Sequence, residues 1–144
     1  VDWVIVCENL ASVVNLGPLP GCVAVHGLGH DVGELGPVPW IRSARVLYWG
    51  DLDSHGFRIL AQARQTWPQT ESILMDEATL DRFSWLAVPE PKPHRSPIGY
   101  LTAAERAALA RLREGGLRLE QERVEWTWAW RVIKHKILDQ KDSQ

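Results

Sequence analysis

The stretch Arg45-Val46-Leu47-Tyr48-Trp49-Gly50-Asp51-Leu52-Asp53-Ser54-His55-Gly56-Phe57 decides the fold. Residues 45–49 are nearly continuous in apolar side chains, as expected of a parallel strand covered on both faces. Gly50 permits the backbone to turn, and a helix then runs over residues 55–66 with Phe57, Leu60 and Ala61 on one face, until Trp67-Pro68 ends it. Strand, acidic turn and helix together form one βα unit. Outward from it, β-branched apolar runs predict strands at 3–7 and 22–26, and a fourth at 72–75. A short helix at 9–16 is stopped by Gly17-Pro18. This alternation implies a parallel sheet with right-handed crossovers and helices on both sides.

The second half of the chain reads differently. Residues 89–97, Pro-Glu-Pro-Lys-Pro-His-Arg-Ser-Pro, cannot be helix or central strand, because four prolines remove donors and fix φ; they form a linker or extended arm. Thr102-Ala103-Ala104-Glu105 matches a capping box that opens a helix to about residue 114, with Gly115-Gly116 as its stop. In a last helix Trp126, Trp130, Ile133 and Ile137 share one face that must pack on apolar surface. Residues 117–123 carry no clear assignment, and the polar tail 139–144 is expected to fray. The expected organisation is therefore an α/β core at 1–88, a proline-rich linker at 89–100 and a C-terminal helical extension at 101–144 packed on the core.

At 144 residues and 16.3 kDa, with 45% hydrophobic and 24% charged residues, the chain suits one globular domain and is too short for two of ordinary size. The apolar runs are far shorter than the ~20 residues of a membrane span. Only two cysteines, Cys7 and Cys22, occur, both in apolar stretches, so buried reduced thiols and a cytoplasmic location are expected. The chain opens in a strand pattern without Met and is expected to be a piece of a longer protein. Charge is uneven. Residues 1–60 carry six acidic against three basic side chains, whereas residues 91–136 carry ten Lys or Arg against five Glu. A metal centre beside a phosphate-binding face needs such an asymmetry.

Three carboxylates stand out by position. Glu8 directly follows the first strand, and Asp51 and Asp53 follow the third. In an open parallel sheet ligands bind beyond the carboxyl ends of the strands, so the three converge if strands one and three are neighbours. Carboxylates so gathered repel and raise one another's pKa unless a cation neutralises them. A hard, oxygen-seeking ion such as Mg²⁺ is the natural partner, with metal-assisted phosphoryl transfer as the chemistry. The bland alternative is helix capping, by Asp53 or Ser54 for the helix near His55 and by Glu8 for the helix near Asn9. Glu120 and Glu122, flanked by Arg118 and Arg123, equally suit surface ion pairs. The Gly27-Leu28-Gly29 loop misses dinucleotide-binding spacing, and His26, His30 and the cysteines lack zinc spacing.

The apolar strand ending in Glu8-Asn9, the Tyr48-Trp49-Gly50-Asp51-Leu52-Asp53-Ser54-His55-Gly56-Phe57 run and Arg118-Leu119-Glu120-Gln121-Glu122-Arg123 together resemble the C-terminal Toprim domain of the JetD family, the nuclease subunit of Wadjet plasmid-defence systems. The resemblance implies a Toprim-like Rossmannoid fold, a parallel four-stranded sheet flanked by helices, shared with type II topoisomerases, DnaG-type primases and the Spo11/topoisomerase VI A subunit. It further implies that Glu8, Asp51 and Asp53 hold Mg²⁺, for which Mn²⁺ can substitute, and that Glu120 and Glu122 approach the metals as catalytic groups. His55, Arg118 and Arg123 become candidates for phosphate contact. The implied partners are double-stranded plasmid DNA bound without sequence specificity, an SMC-type condensin-like motor complex, and a second copy in a homodimer of the full-length protein. Only Tyr48 and Tyr100 occur, so metal-activated water is the expected nucleophile. Two rivals stay open: a haloacid-dehalogenase-like phosphatase with Asp51 as nucleophile and Asp53 as acid/base partner, and a non-catalytic docking scaffold. The phosphatase leaves Glu8 unexplained and lacks a lysine near the nucleophile, Lys92 being the only one before residue 134.

Overall fold

A computed structural model describes residues 1–27, 34 and 38–140. The glycine-rich loop after the second strand, beyond Gly27, and the last four residues of the tail lie outside the described residues. β1 (Trp3–Cys7), β2 (Cys22–His26) and β3 (Arg45–Trp49) coincide with the expected strands, and with β4 (Thr70–Ser72) they form one parallel sheet in the order β2-β1-β3-β4. β1 lies against β3 with Cys7 opposite Trp49, so the adjacency on which the carboxylate argument depends is present. Both strands are almost wholly buried, which is why their sequences are apolar throughout rather than alternating.

The fourth strand sits two residues earlier than the apolar run at 72–75 suggests. Ile73 still donates to the Tyr48 carbonyl (3.0 Å), but Leu74 turns into the left-handed region (φ 62°) and ends the pairing. Ile73, Leu74 and Met75 nonetheless stay buried, so their apolarity reports core placement rather than strand geometry. A short α4 (Glu77–Arg82), which periodicity does not reveal, follows, capped by Asp76 on the Thr79 N–H.

Of the flanking helices, α1 (Leu10–Asn15) and α2 (Pro39–Ser43) are short, and α3 (Ser54–Thr66) buries Phe57, Ile59, Leu60, Ala61 and Ala63. The expected capping box forms at α5 (Ala103–Gly115): Thr102 and Glu105 exchange side-chain and backbone bonds, and Gly116 closes the helix in the left-handed region (φ 61°). In α6 (Trp126–Asp139) the buried positions are Ala129, Ile133 and Ile137, while Trp126 and Trp130 are only partly buried and stack on each other 6.3 Å apart. Trp126 also stacks on Trp49 of β3 at 6.2 Å, joining α6 to the sheet.

The proline-rich arm is extended but tied down. β5 (Val88–Pro89) pairs antiparallel with β6 (Leu117–Arg118), Glu90 donates to the Gly116 carbonyl (2.8 Å), and Arg113 donates to the carbonyls of His94 and Ser96. Cys7 is buried and Cys22 half-buried. Among the described residues no helix is long and apolar enough to cross a membrane.

Candidate metal centre

The centre forms at the carboxyl ends of β1 and β3. The Glu8 N–H donates to the Trp49 carbonyl (3.2 Å), stitching the two strand ends together, and the Gly27 N–H closes the β2 side on Cys7 (2.8 Å). Gly27 has a steric reason to lack a side chain: a Cβ there would run into the Glu8 carboxylate. Glu8 lies over buried groups of the strands. Burial, reinforced by its negative charge, pushes the Cys7 thiol up to about 12. The Tyr48 hydroxyl is raised well above its usual range, first by burial, then by the nearby charge of Glu8, and then by Asp51 and Asp53. One fully buried phenol thus senses all three carboxylates, from strands that lie side by side.

Asp51 is pinned by a segment 70 residues away. Leu52 and Leu119 exchange two backbone bonds of 2.9 Å, an antiparallel bridge that delivers the Gln121 N–H to Asp51 Oδ1 at 2.6 Å. The same turn carries Glu120 and Glu122 close enough for their charges to act on Asp51. Burial raises the Asp51 carboxyl most, the Gln121 N–H opposes it, and Asp53, Glu122 and Glu120 add to the rise, leaving it at about 6. Asp53 caps α3: its Oδ1 takes the Gly56 N–H at 2.6 Å, as the capping alternative anticipates. Gly56 is required there because a Cβ would strike the Asp51 carbonyl. Burial raises Asp53 too, the Gly56 N–H opposes it, Glu90 adds to the rise, and His55 and Arg118 lower it. Capping occupies one oxygen; among the described residues no hydrogen bond is made by Oδ2 of Asp51 or of Asp53.

Glu8 does not cap α1. Asn9 does, its side chain accepting from the Ser12 N–H (3.1 Å) while its Nδ2 donates to Glu122 and its backbone N–H to Gln121 Oε1 (3.2 Å). Glu120 is paired with Arg118 at 2.8 Å and with Arg123 at 3.8 Å, at roughly one-third exposure, where ion pairs contribute little. His55 directs Nε2 to the Lys92 carbonyl (2.6 Å), and its ring lies 6.1 Å from that of His94.

Three participants escape sequence reading. Glu90, in the proline-rich arm, accepts from Ser54 N (3.2 Å) and Oγ (2.6 Å) and faces Asp53 across 37 residues of chain. Tyr48 hides inside an apolar strand, and Gln121 acts through its main chain, which no side-chain pattern reports. Glu90 alone had a weak signal, a carboxylate held between two prolines that fix its backbone.

Among the described residues no three His, Cys, Asp or Glu side chains are gathered closely enough to hold an ion. The donor chemistry still fits Mg²⁺. Every candidate ligand is a carboxylate oxygen, Mg²⁺ asks for only one or two of these directly and keeps waters elsewhere, and Asp51 is raised first by burial and then by neighbours of its own sign.

A parallel α/β sheet with carboxylates from two adjacent strand ends defines an acidic α/β domain of the kind that binds ligands at its sheet rim. The family model described as Wadjet protein JetD, C-terminal, matches residues 1–133, and the chain belongs to that family. Membership ties it to the Wadjet defence system and its SMC-like complex. No curated protein matches the chain.

Proposed function

We propose that this chain is a Mg²⁺-dependent endonuclease domain of the Wadjet system, hydrolysing phosphodiesters of double-stranded DNA in the cytoplasm. The observation that supports the reading is the pairing of β1 with β3, Cys7 opposite Trp49, which sets the Glu8 position beside the strand end that Asp51 and Asp53 follow. Glu8, Asp51 and Asp53 are the groups that would hold the ion, with Mn²⁺ able to replace it. When bound, Mg²⁺ supplies neutralisation of the phosphate oxygens and an activated water.

The chain's own residues prepare that centre. The Gln121 N–H fixes Asp51 through Oδ1, and the Gly56 N–H fixes Asp53 likewise, so each aims a second oxygen from a set pose. With its carboxyl near 6, Asp51 is ionised at neutral pH and takes up a proton under mild acid. Glu120 and Glu122 add negative charge near Asp51. Arg118 and Arg123, paired with Glu120, would exchange that partner for a DNA phosphate.

Asp51→Asn with Asp53→Asn tests the reading, because Asn keeps both acceptor oxygens for Gln121 and Gly56. Nicking of supercoiled plasmid in Mg²⁺ should fall more than ~100-fold, beyond the loss typical of a supporting residue in a metal site. Unchanged nicking removes the nuclease reading in favour of a scaffold, and a phosphoenzyme trapped on Asp51 replaces it with a phosphatase.

A further inference from the structure

Asp53 stands at the start of α3 among donors that it does not satisfy alone. It is 8% exposed and Ser54 is fully buried, so the polar groups there need partners inside the protein. The Phe57 N–H donates to the Asp53 carbonyl (3.2 Å) and the Gly56 N–H to Asp53 Oδ1 (2.6 Å), which leaves Ser54 with two donors to place. Both go to Glu90. A single oxygen, Oε1, accepts the Ser54 N–H (3.2 Å) and the Ser54 hydroxyl (2.6 Å). A carboxylate 36 residues along the chain from Ser54 thus completes the helix cap that Asp53 begins.

Glu90 is itself firmly held. Its N–H donates to the Gly116 carbonyl (2.8 Å), Pro89 and Pro91 fix the backbone on either side, and β5 pairs with β6 just before it. Further along the arm the Lys92 carbonyl accepts from His55 Nε2 (2.6 Å) and the His94 N–H donates to Ser54 Oγ (2.7 Å), so alternate residues 90, 92 and 94 grip the first turn of α3. The stretch that anchors Glu90 at Gly116 runs on to Leu119, bridged to Leu52, and to the Gln121 N–H on Asp51. One framework therefore sets both aspartates.

We infer that Glu90 is a positioning residue for Asp53: by taking both Ser54 donors it leaves Asp53 Oδ2 free for a cation, and it acts through its acceptor oxygen rather than through its charge. The use of that free oxygen rests on the metal reading; the clamp on Ser54 does not. The charge of Glu90 works against the ionised Asp53, since burial raises the Asp53 carboxyl most and Glu90 adds to the rise. Without the acceptor, the buried Ser54 hydroxyl either turns to the carboxylate of the adjacent Asp53 or stays unpaired at a cost.

The test compares Glu90→Ala with Glu90→Gln in the full chain by two measurements: Mn²⁺ affinity by titration calorimetry, and hydrogen exchange at the Gly56 amide by NMR without metal. Glu90→Ala should weaken Mn²⁺ binding about 10-fold or more, as loss of a supporting residue at a metal site does, and should speed Gly56 exchange. Glu90→Gln keeps an acceptor for Ser54 and removes the charge. It should retain Gly56 protection and hold Mn²⁺ affinity within about threefold of wild type, the scale of one nearby charge screened by water. Ser54→Ala, which deletes the hydroxyl but keeps the main-chain bond, should fall between them and keeps the test valid if Glu90→Ala does not fold. A loss in Glu90→Gln as large as in Glu90→Ala assigns the effect to charge and overturns the inference. Lowered stability in urea with Mn²⁺ affinity and Gly56 exchange both unmoved overturns it too, leaving Glu90 a structural residue only. The two readings fail separately. If the wild-type chain binds no Mn²⁺ while Gly56 exchange follows the expected order, the metal reading falls and the clamp on Asp53 stands; if Mn²⁺ binds and is indifferent to Glu90→Ala and Ser54→Ala, the positioning role falls.

Discussion

Glu105 and Asp51 are both drawn out of water, yet their surroundings move them in opposite directions. Glu105, only 4% exposed in the first turn of α5, accepts from Arg64 through both oxygens (2.7 and 3.0 Å), from Ser72 Oγ (2.6 Å) and from the Thr102 N–H (2.8 Å). Burial is the largest single influence and raises it, but Arg64, Ser72 and Thr102 together bring it down to about 2. Asp51 has one backbone N–H and otherwise carboxylates for company, and stands at about 6. A buried acid that finds its cation within the fold is structural. Asp51, desolvated and beside carboxylates, has no such cation among the described residues, which is what the metal proposal requires.

The strongest challenge to that contrast is to neutralise each acid in turn. Glu105→Gln leaves Arg64 facing a neutral amide at low exposure and should cost about 3 kcal/mol in urea unfolding, the range for breaking a buried pair. Asp51→Asn, the same chemical change, should leave stability unchanged or raise it, because it removes a charge that burial first and like-charged neighbours second disfavour. Equal losses in the two variants would erase the distinction.

Added Mg²⁺ sharpens the comparison next. At a hundredfold excess over its dissociation constant it should stabilise the wild-type chain by about 2.7 kcal/mol, with no gain in Asp51→Asn, as followed by thermal unfolding. A smaller effect should appear with pH. Asp51 rises from 3.8 to about 6 on folding, so the folded chain binds the extra proton and its stability falls as pH climbs through that window. Metal-free protein should therefore gain stability between pH 7 and 5, by less than about 1.4 kcal/mol per pH unit, and Asp51→Asn should not. Glu105 has the reverse sign: its contribution is complete above 4.5 and is lost as pH drops from there toward about 2. The smallest expected effect is Asn9→Ala, about 1 kcal/mol from the lost cap of α1, measured by chemical denaturation.

How far this was legible from residues alone differs between the two regions. β1 and β3 announce themselves because strands buried on both faces must be apolar throughout, the half-buried edge strand β2 by its valines, and Thr102 with Glu105 announces the start of α5 because a capping box is local chemistry. Asp51 and Asp53 were visible for the same reason, as polar residues placed just where an apolar strand ends. What stayed hidden depends on distant chain. Arg64 meets Glu105 across 41 residues, Gln121 meets Asp51 across 70, and Glu90 reaches Ser54 from an arm that composition describes only as extended. The β4 boundary was misplaced because Ile73, Leu74 and Met75 are buried without being paired as a strand, and apolarity marks burial alone.

The position of a bound divalent ion is the most direct test of the centre. Anomalous diffraction from crystals soaked in Mn²⁺ should show a peak within coordination distance of the Asp51 and Asp53 carboxylates and on the side that faces Glu8. Clear peaks elsewhere on the chain with none at these carboxylates would contradict it.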